Sequence, residues 1–284
     1  MLTVTRIAGS FAGEVSGLDL TKDLDRETVA QIRSFIGEFP VLCFRDQPLD
    51  DARQKHFAAA FGPLLVNELP ELGGKADGSE HLLNVATVNA EGETIAPDSI
   101  QGKMAAANLL WHTDGSQLNP PVRFTTLSAR ILPSSPPPTE YADMREAWDR
   151  LPSATRQSLE GLEVEHDILV SRAKTGMTAD QFEPETLRKL KPTVQPLVRT
   201  NQHTGRKALY LASHASHVIG RPMEEGRALI ENLTQHATDP AYVYRHQWQP
   251  GDLMMWDDFA TMHRGTEYDG REPRFLRWCG VLAA

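Results

Sequence analysis

Cysteine is nearly missing from this chain: Cys43 and Cys279 are the only two among 284 residues. Two cysteines without metal-site spacing cannot build the disulfide framework of a small secreted scaffold, so buried, idle thiols in a reducing compartment are expected. Long apolar runs are missing too. No stretch is long enough to span a bilayer, and the opening MLTVTRIAGSFAGEV lacks the continuous apolar core of a signal peptide. A cytoplasmic protein without a membrane partner is expected. Positive charge is in deficit, with 29 Lys+Arg against 38 Asp+Glu and a formal net charge of -9. That balance, with no run of five like charges, excludes a protein that tracks nucleic-acid phosphates. Any anionic ligand must therefore be caught by local positive charge. Internal repeats, linker-like low-complexity tracts and a regular strand–helix alternation are also lacking, which argues against solenoids and parallel α/β folds.

What is present is ordinary globular composition, 40% hydrophobic and 24% charged with 20 Gly and 19 Pro, in a chain long enough to bury a large core. Val29, Ile32, Phe35 and Ile36 recur at helical spacing over Arg26 to Phe39. A strand over Val41 to Gln47 follows, then a helix capped by Asp50, carrying Phe57, Ala60 and Phe61 and stopped by Gly62. From about 63 to 107 the pattern dissolves into Gly, Asp, Glu and Asn around one strand-like island at Leu82 to Val88, and a lid is expected there. Asn108 to Asp114 and Arg123 to Arg130 read as strands separated by the turn signal of Asn119 to Pro121. Helices are expected over Met144 to Leu151 and over Ser153 to Leu162, the latter with Ser153 as cap, and over Met223 to His236. Further strands are expected at Leu197 to Thr200, Ala208 to Ala212, Tyr242 to Trp248, Leu253 to Trp256 and Arg274 to Val281. Many short strands with Pro/Gly turns and a few helices imply a mainly β fold with flanking helices, a jelly roll or barrel, in one domain over residues 1–284.

Among the ten histidines, only His112 has a carboxylate two residues downstream, in His112-Thr113-Asp114. On a strand, residues i and i+2 share a face, so this imidazole and the Asp114 carboxylate can reach one metal ion. A third ligand must come from elsewhere, and His263 in MWDDFATMHRG is the candidate. Two imidazoles and one carboxylate form the facial triad of non-haem Fe(II) oxygenases, although zinc accepts the same donors. Arg274, eleven residues after His263, and Thr139, after the proline loop, could together clamp a carboxylate, as a chelating 2-oxoacid would need at its far end.

The segments VLCFRDQPLDDARQKHFAAAFGPL, LWHTDGSQLNPP, PTEYADMREAWDRLP and WQPGDLMMWDDFATMHRGTEYDGREPRFLR resemble the taurine dioxygenase and chlorophenoxyacetate dioxygenase family of Fe(II)/2-oxoglutarate enzymes. The resemblance covers nearly the whole chain. VRTNQHTGRKALYLASHASHVIG is similar to the chlorophenoxyacetate branch. The resemblance implies a double-stranded β-helix of the cupin-like jelly-roll kind. It implies His112, Asp114 and His263 as iron ligands, with Thr139 and Arg274 on the 5-carboxylate of 2-oxoglutarate. It further implies Fe(II), 2-oxoglutarate and O2 as the reacting company, with release of succinate and CO2 and hydroxylation of a small organic substrate. For an aryloxyalkanoate the hydroxylated carbon would collapse to a carbonyl compound and a phenol. A homo-oligomer is implied as well, although no residue marks an interface.

One position departs from the family pattern. Members that grip an acidic substrate often carry a second Arg fifteen residues after the distal His, and Trp278 stands there. Arg277 is adjacent but would face the other side of a regular strand. Trp278 is then either an aromatic wall for the substrate or a plain core residue. Asn108, on the face of His112 and Asp114, and His214 in SHASHVIG are the other candidate substrate contacts, His214 toward a substrate anion. Other substrates under the same chemistry are a sulfonate such as taurine or a small natural product. From other classes, a zinc hydrolase or isomerase of the cupin kind and a non-catalytic binder stay open, distinguished by metal content and succinate formation.

Overall fold

Seven strands make the larger sheet, in the spatial order Thr3–Arg6, Gly13–Ser16, Val41–Phe44, Leu253–Asp257, Val122–Ile131, Phe275–Leu282 and Leu83–Ala86. All neighbours are antiparallel except the pair Gly13–Ser16 and Val41–Phe44. A smaller sheet places Thr139–Asp143 between Val243–His246 and Thr261–Gly265. A further sheet of Ala215–Val218, Glu163–His166 and Thr193–Pro196 and a hairpin of Val198–Thr200 with Lys207–Leu209 complete the strands. This computed structural model describes residues 1–283 apart from 68–79, 90–92, 203, 269 and 271.

The alternation of side chains along the strands builds the layers. Val41, Cys43, Met254, Trp256, Leu276 and Trp278 point inward from the larger sheet and join Tyr141 of the smaller one in a core between the two. Leu42, Phe44, Leu253, Met255, Cys279 and Val281 point the other way, against Ile32, Ile36, Phe57 and Phe61 of two helices. A third core lies behind the smaller sheet, where Ala142 and Met262 meet helices carrying Met144, Trp148, Ile230 and Leu233. The architecture is the expected double-stranded β-helix with flanking helices.

The first helix, Arg26–Glu38, forms because Asp25 caps it by accepting from Thr28 N, and its Ile32 and Ile36 are buried. Full burial of each such aliphatic side chain contributes about 1.5–3 kcal/mol. The second, Asp51–Ala59, is capped by Asp50, which accepts from Arg53 N. Strands at Val122–Ile131, Leu253–Asp257 and Phe275–Leu282 and the helix Met223–Ala237 fall where periodicity puts them.

Three expectations need correction. Asn108 to Asp114 is not a strand: the helix Ile100–Ala106 and a 3-10 turn Ala107–Leu109 lead into it, and His112 makes only a single bridge, to His263. The small residues Ala105, Ala106 and Ala107 favour helix, and tertiary pairing, not local pattern, extends the chain at His112. Ser153 is not a cap either; the helix Ser153–Leu159 is preceded by Pro152, with no side-chain capping bond. Within the expected irregular segment, Ile100–Ala106 is a helix capped by Ser99, while the strand-like island expected at Leu82 to Val88 is there, as Leu83–Ala86 on the edge of the larger sheet. The rest of that segment's unpatterned sequence includes 68–79 and 90–92, outside the described residues. The helix Ile168–Lys174 was not anticipated; Asp167 caps it by accepting from Leu169 N.

Candidate active site

His112 and His263 face each other across a two-bond antiparallel bridge, His112 N to His263 O at 3.0 Å and His263 N to His112 O at 2.8 Å. Their ring centroids are 4.2 Å apart. Thr113 is pinned behind the pair, its hydroxyl 2.8 Å from Leu211 O and 3.1 Å from Thr261 O. Asp114 N donates to Asp258 Oδ1 at 3.0 Å. Every residue of the His-Thr-Asp run is thus fixed by a partner distant in sequence. Gly115 follows at φ 58, where a Cβ would strike the side chain of Val122, so this turn requires glycine.

The three side chains converge. His112 Nε2 lies 3.6 Å from Asp114 Oδ1, and His263 Nε2 lies 3.6 Å from Asp114 Oδ2. The set of His112, Asp114 and His263 offers ligand atoms that all lie within 4.8 Å of one another. His112 Nδ1 is 2.7 Å from Leu110 O. A carbonyl only accepts, so Nδ1 carries the proton and Nε2 presents its lone pair to the centre of the set. Burial, then the neighbouring His112, pushes the His263 imidazole down to about 3, so it is neutral. Burial acts to raise the Asp114 carboxyl, but His263 and His112 oppose it, followed by the Trp278 N–H and Thr125 hydroxyl, and it lies below its usual range. Two imidazoles and an ionised carboxylate are the donor set that a divalent cation takes.

The carboxylate is held from behind. Asp114 Oδ2 accepts from the Trp278 indole at 2.9 Å and sits 2.9 Å from Thr125 Oγ1. The same hydroxyl is 2.8 Å from Asp258 Oδ2, and Trp256 Nε1 donates to Asp258 Oδ1 at 3.1 Å. Burial, and after it the charge of Asp114, pushes Asp258 well above the usual carboxylate range. With a proton on Asp258, both contacts of the single Thr125 hydroxyl are hydrogen bonds. Thr125, Trp256 and Asp258 were not singled out from the sequence. Only the run Trp256-Asp257-Asp258, a pair of acids next to a buried tryptophan, hints at them.

Thr139 and Arg274 sit on opposite sides of the space between the sheets. Thr139 pairs with Gly265 in register, two residues beyond His263, and its Oγ1 accepts from Trp248 Nε1 at 3.0 Å, leaving the hydroxyl proton to donate elsewhere. Arg274 is anchored through its backbone, with its N bonded to Thr87 Oγ1 and Thr87 N bonded to its O, both at 3.0 Å. Among the described residues its buried Nε has no partner, nor has the buried hydroxyl of Tyr141, whose ring stacks on His263 at 6.0 Å. Burial pulls the Arg274 guanidinium down to about 10, with Tyr141 and Tyr268 opposing. An orphaned guanidinium nitrogen and an orphaned phenol beside His263 are what a second anionic group would satisfy.

The substrate candidates separate. Trp278 is on the inner face, but its polar edge is spent on Asp114, and its ring lies over Gly280, where a Cβ would come within 2.4 Å of Cη2. Arg277 is on the opposite face as expected, 2.8 Å from Asp51 Oδ2. Asn108 lies in the turn Ala107–Leu109, its carbonyl near Gly265, not on a strand face with His112. His214 is buried, with Nδ1 2.8 Å from Ser171 Oγ, and burial together with nearby Arg172 and His112 pushes it well below its usual value. Cys43 and Cys279 are free and buried.

The family model described as "Taurine catabolism dioxygenase TauD, TfdA family" matches residues 3–279. The chain is 41% identical, over 96% of its length and 94% of the relative's, to an alpha-ketoglutarate-dependent 2,4-dichlorophenoxyacetate dioxygenase of Cupriavidus pinatubonensis. It is 39% identical to the enzyme of the same description from Burkholderia sp., over 96% and 91% of the two chains. The crystal structure of AAD-2 in complex with Mn(II) and N-oxalylglycine superposes with a TM-score of 0.90 at 37% identity, covering 100% of this chain and 98% of that one.

Proposed function

Because the chain belongs to the TauD, TfdA family of dioxygenases, we propose that it hydroxylates an aryloxyalkanoate acid beside the ether oxygen, with His112, Asp114 and His263 holding Fe(II). It is an Fe(II)- and 2-oxoglutarate-dependent dioxygenase. When bound, Fe(II), 2-oxoglutarate and O2 together supply the oxidation, with release of succinate and CO2. The observation that carries the ligand assignment is the convergence of the His112 and His263 imidazoles on one ionised carboxylate. Similarity to two enzymes named for 2,4-dichlorophenoxyacetate supports the substrate class.

The chain's own work is binding, orientation and exclusion of water. Arg274 and the free hydroxyl proton of Thr139 hold the distal carboxylate of 2-oxoglutarate, and the Tyr141 hydroxyl supports them from beside His263. Trp278 and Thr125 fix the orientation of the Asp114 carboxylate, so it keeps one geometry as charge changes at the centre. Buried Trp256 and Trp278 keep bulk water from this side. Hydroxylation of the carbon next to the ether oxygen yields a hemiacetal or hemiketal that breaks to a phenol and a carbonyl compound.

The chain works as one domain in the cytoplasm on a small-molecule substrate. Among the described residues no helix is long and apolar enough to cross a membrane. The test is succinate release from Fe(II)-loaded protein with 2-oxoglutarate and O2 across aryloxyacetates, aryloxypropionates, sulfonates and neutral aromatics. Aryloxy acids should stimulate succinate with phenol formed in step. Stimulation by sulfonates alone would overturn the substrate class.

A further inference from the structure

The inner face of the closing strand offers no cation for a substrate's acid group: Trp278 is tied to Asp114, and Arg277 is on the far face with Asp51. A cation without an acid stands elsewhere. Arg172, on the helix Ile168–Lys174, has a buried Nε with no hydrogen-bond partner. Its one side-chain bond among the described residues is a long one, Nη1 to Ser171 Oγ at 3.4 Å. Burial alone lowers its guanidinium, to about 10, with no carboxylate opposing. A desolvated guanidinium without a counter-charge is costly, and proteins keep such groups where a ligand completes them.

Its position connects it to the metal centre. Ser171 Oγ lies 2.8 Å from His214 Nδ1 and donates to Ile168 O at 2.8 Å. With that proton given to a carbonyl, the Ser171 oxygen accepts both from Arg172 and from the Nδ1–H of His214. Burial holds His214 well below its usual value, so it is neutral, its one proton is on Nδ1, and no N–H is left to offer an anion. It orients the shelf, and the charge on the shelf is that of Arg172. The groups that press on His214 are Arg172, His112, His166 and Lys174, all cationic or imidazole, with no acid among them. Lys174 Nζ reaches Ser213 O at 3.1 Å from the same helix, and that helix packs against the turn Ala107–Leu109 leading to His112. In a chain with a net charge of -9, the Arg172 guanidinium thus stands without an opposing carboxylate among the described residues, on the helix that packs against the turn leading to His112, whereas Lys174 faces Glu231.

We propose that Arg172 is the anchor for the substrate's carboxylate, gripping the acid group on the His214 side of the metal centre. This rests on the aryloxyalkanoate reading of the site. A carboxylate there accepts from Arg172 Nε and a terminal nitrogen together, a bidentate pair that an alkyl amide cannot reproduce.

The experiment compares wild type, Arg172→Met and Arg172→Lys with 2,4-dichlorophenoxyacetate and its primary amide. Turnover is read as succinate, and binding to the Mn(II)- and 2-oxoglutarate-loaded protein is read anaerobically by calorimetry. Arg172→Met should raise the KM and Kd of the acid by about 10- to 100-fold, the range for a lost charge-assisted hydrogen bond. The amide's values and the KM for 2-oxoglutarate should stay put, so discrimination between acid and amide collapses. Arg172→Lys should recover part of the acid's affinity. Equal losses for acid and amide, or an unchanged acid KM, would overturn the anchor while leaving the aryloxyalkanoate reading intact. If the acid binds through Arg172 but is never turned over, the anchor stands and that reading fails. Absence of acid binding in wild type overturns the anchor outright.

Discussion

The indole N–H of Trp278 is bonded to Asp114 Oδ2 at 2.9 Å, so the closing strand holds the Asp114 carboxylate by a donor from its inner face. Neither sequence alternative for Trp278, substrate wall or plain core, includes this contact. Trp278→Phe keeps the ring volume over Gly280 and removes only the donor. Metal affinity, measured by electron paramagnetic resonance of free Mn(II), should fall about 10-fold or more, as for other lost partners behind a metal ligand. An affinity equal to wild type would limit Trp278 to packing.

Asp114→Ala removes the only carboxylate of the ligand set. Coupled succinate release should disappear and Mn(II) binding should weaken together, whereas the fold, read by circular dichroism, should persist. Retained turnover would move the ligand role elsewhere.

Arg274→Ala takes away a half-buried guanidinium whose Nε is unpartnered. The KM for 2-oxoglutarate should rise by the equivalent of roughly 1.5–3 kcal/mol, the range for a hydrogen bond to a charged group. The dissociation constant of the aryloxy acid should move far less. A shift confined to the aryloxy acid would exchange the two anion roles.

His166 is fully buried, with Nδ1 2.9 Å from Ser116 Oγ, and burial, with Arg199 adding to it, lowers its imidazole to about 3. Its folded value lies below its unfolded one, so the stabilisation is fully present above about pH 6.5 and is lost as pH falls from there toward 3. Up to about 1.4 kcal/mol per pH unit follows from one such group over that window. Urea midpoints between pH 7 and 4.5 should fall in wild type and fall less steeply in His166→Asn; parallel slopes would remove His166 as a cause.

Burial pushes the Cys43 and Cys279 thiols up to about 12. The thiolate is the reactive form, so neither should react with a disulfide reagent in native protein at pH 8, and both should react once urea unfolds it. Fast native labelling would contradict their burial.

The candidate ligands were legible because their chemistry is compressed into short motifs: His112 and Asp114 are two residues apart, and Arg274 follows His263 by eleven. The larger sheet was legible because Val41 to Phe44, Leu253 to Asp257 and Phe275 to Leu282 alternate between two buried faces. What holds Asp114 was not. Thr125 and Trp278 lie inside two neighbouring strands and Asp258 just past the end of a third, and only register brings Gly280 opposite Thr125 and Trp278 opposite Leu127. The extended segment at His112 was misjudged over its first residues for the same reason: its partner is His263, not its own neighbours. Arg172 escaped notice because an arginine near a helix C-terminus is normally a solvated one, and only burial without an acid distinguishes it.

The bridge between His112 and His263 joins residues from the middle and the end of the chain, and Trp278 adds its bond from still further along. During synthesis the first two donors of the proposed metal centre emerge long before the third. A nascent chain therefore has no complete donor set to capture an ion, and contacts of such separation form late in folding. Loading belongs to the finished protein, and a product shortened before its last strand would keep His112, Asp114 and His263 yet lack the indole that sets the carboxylate.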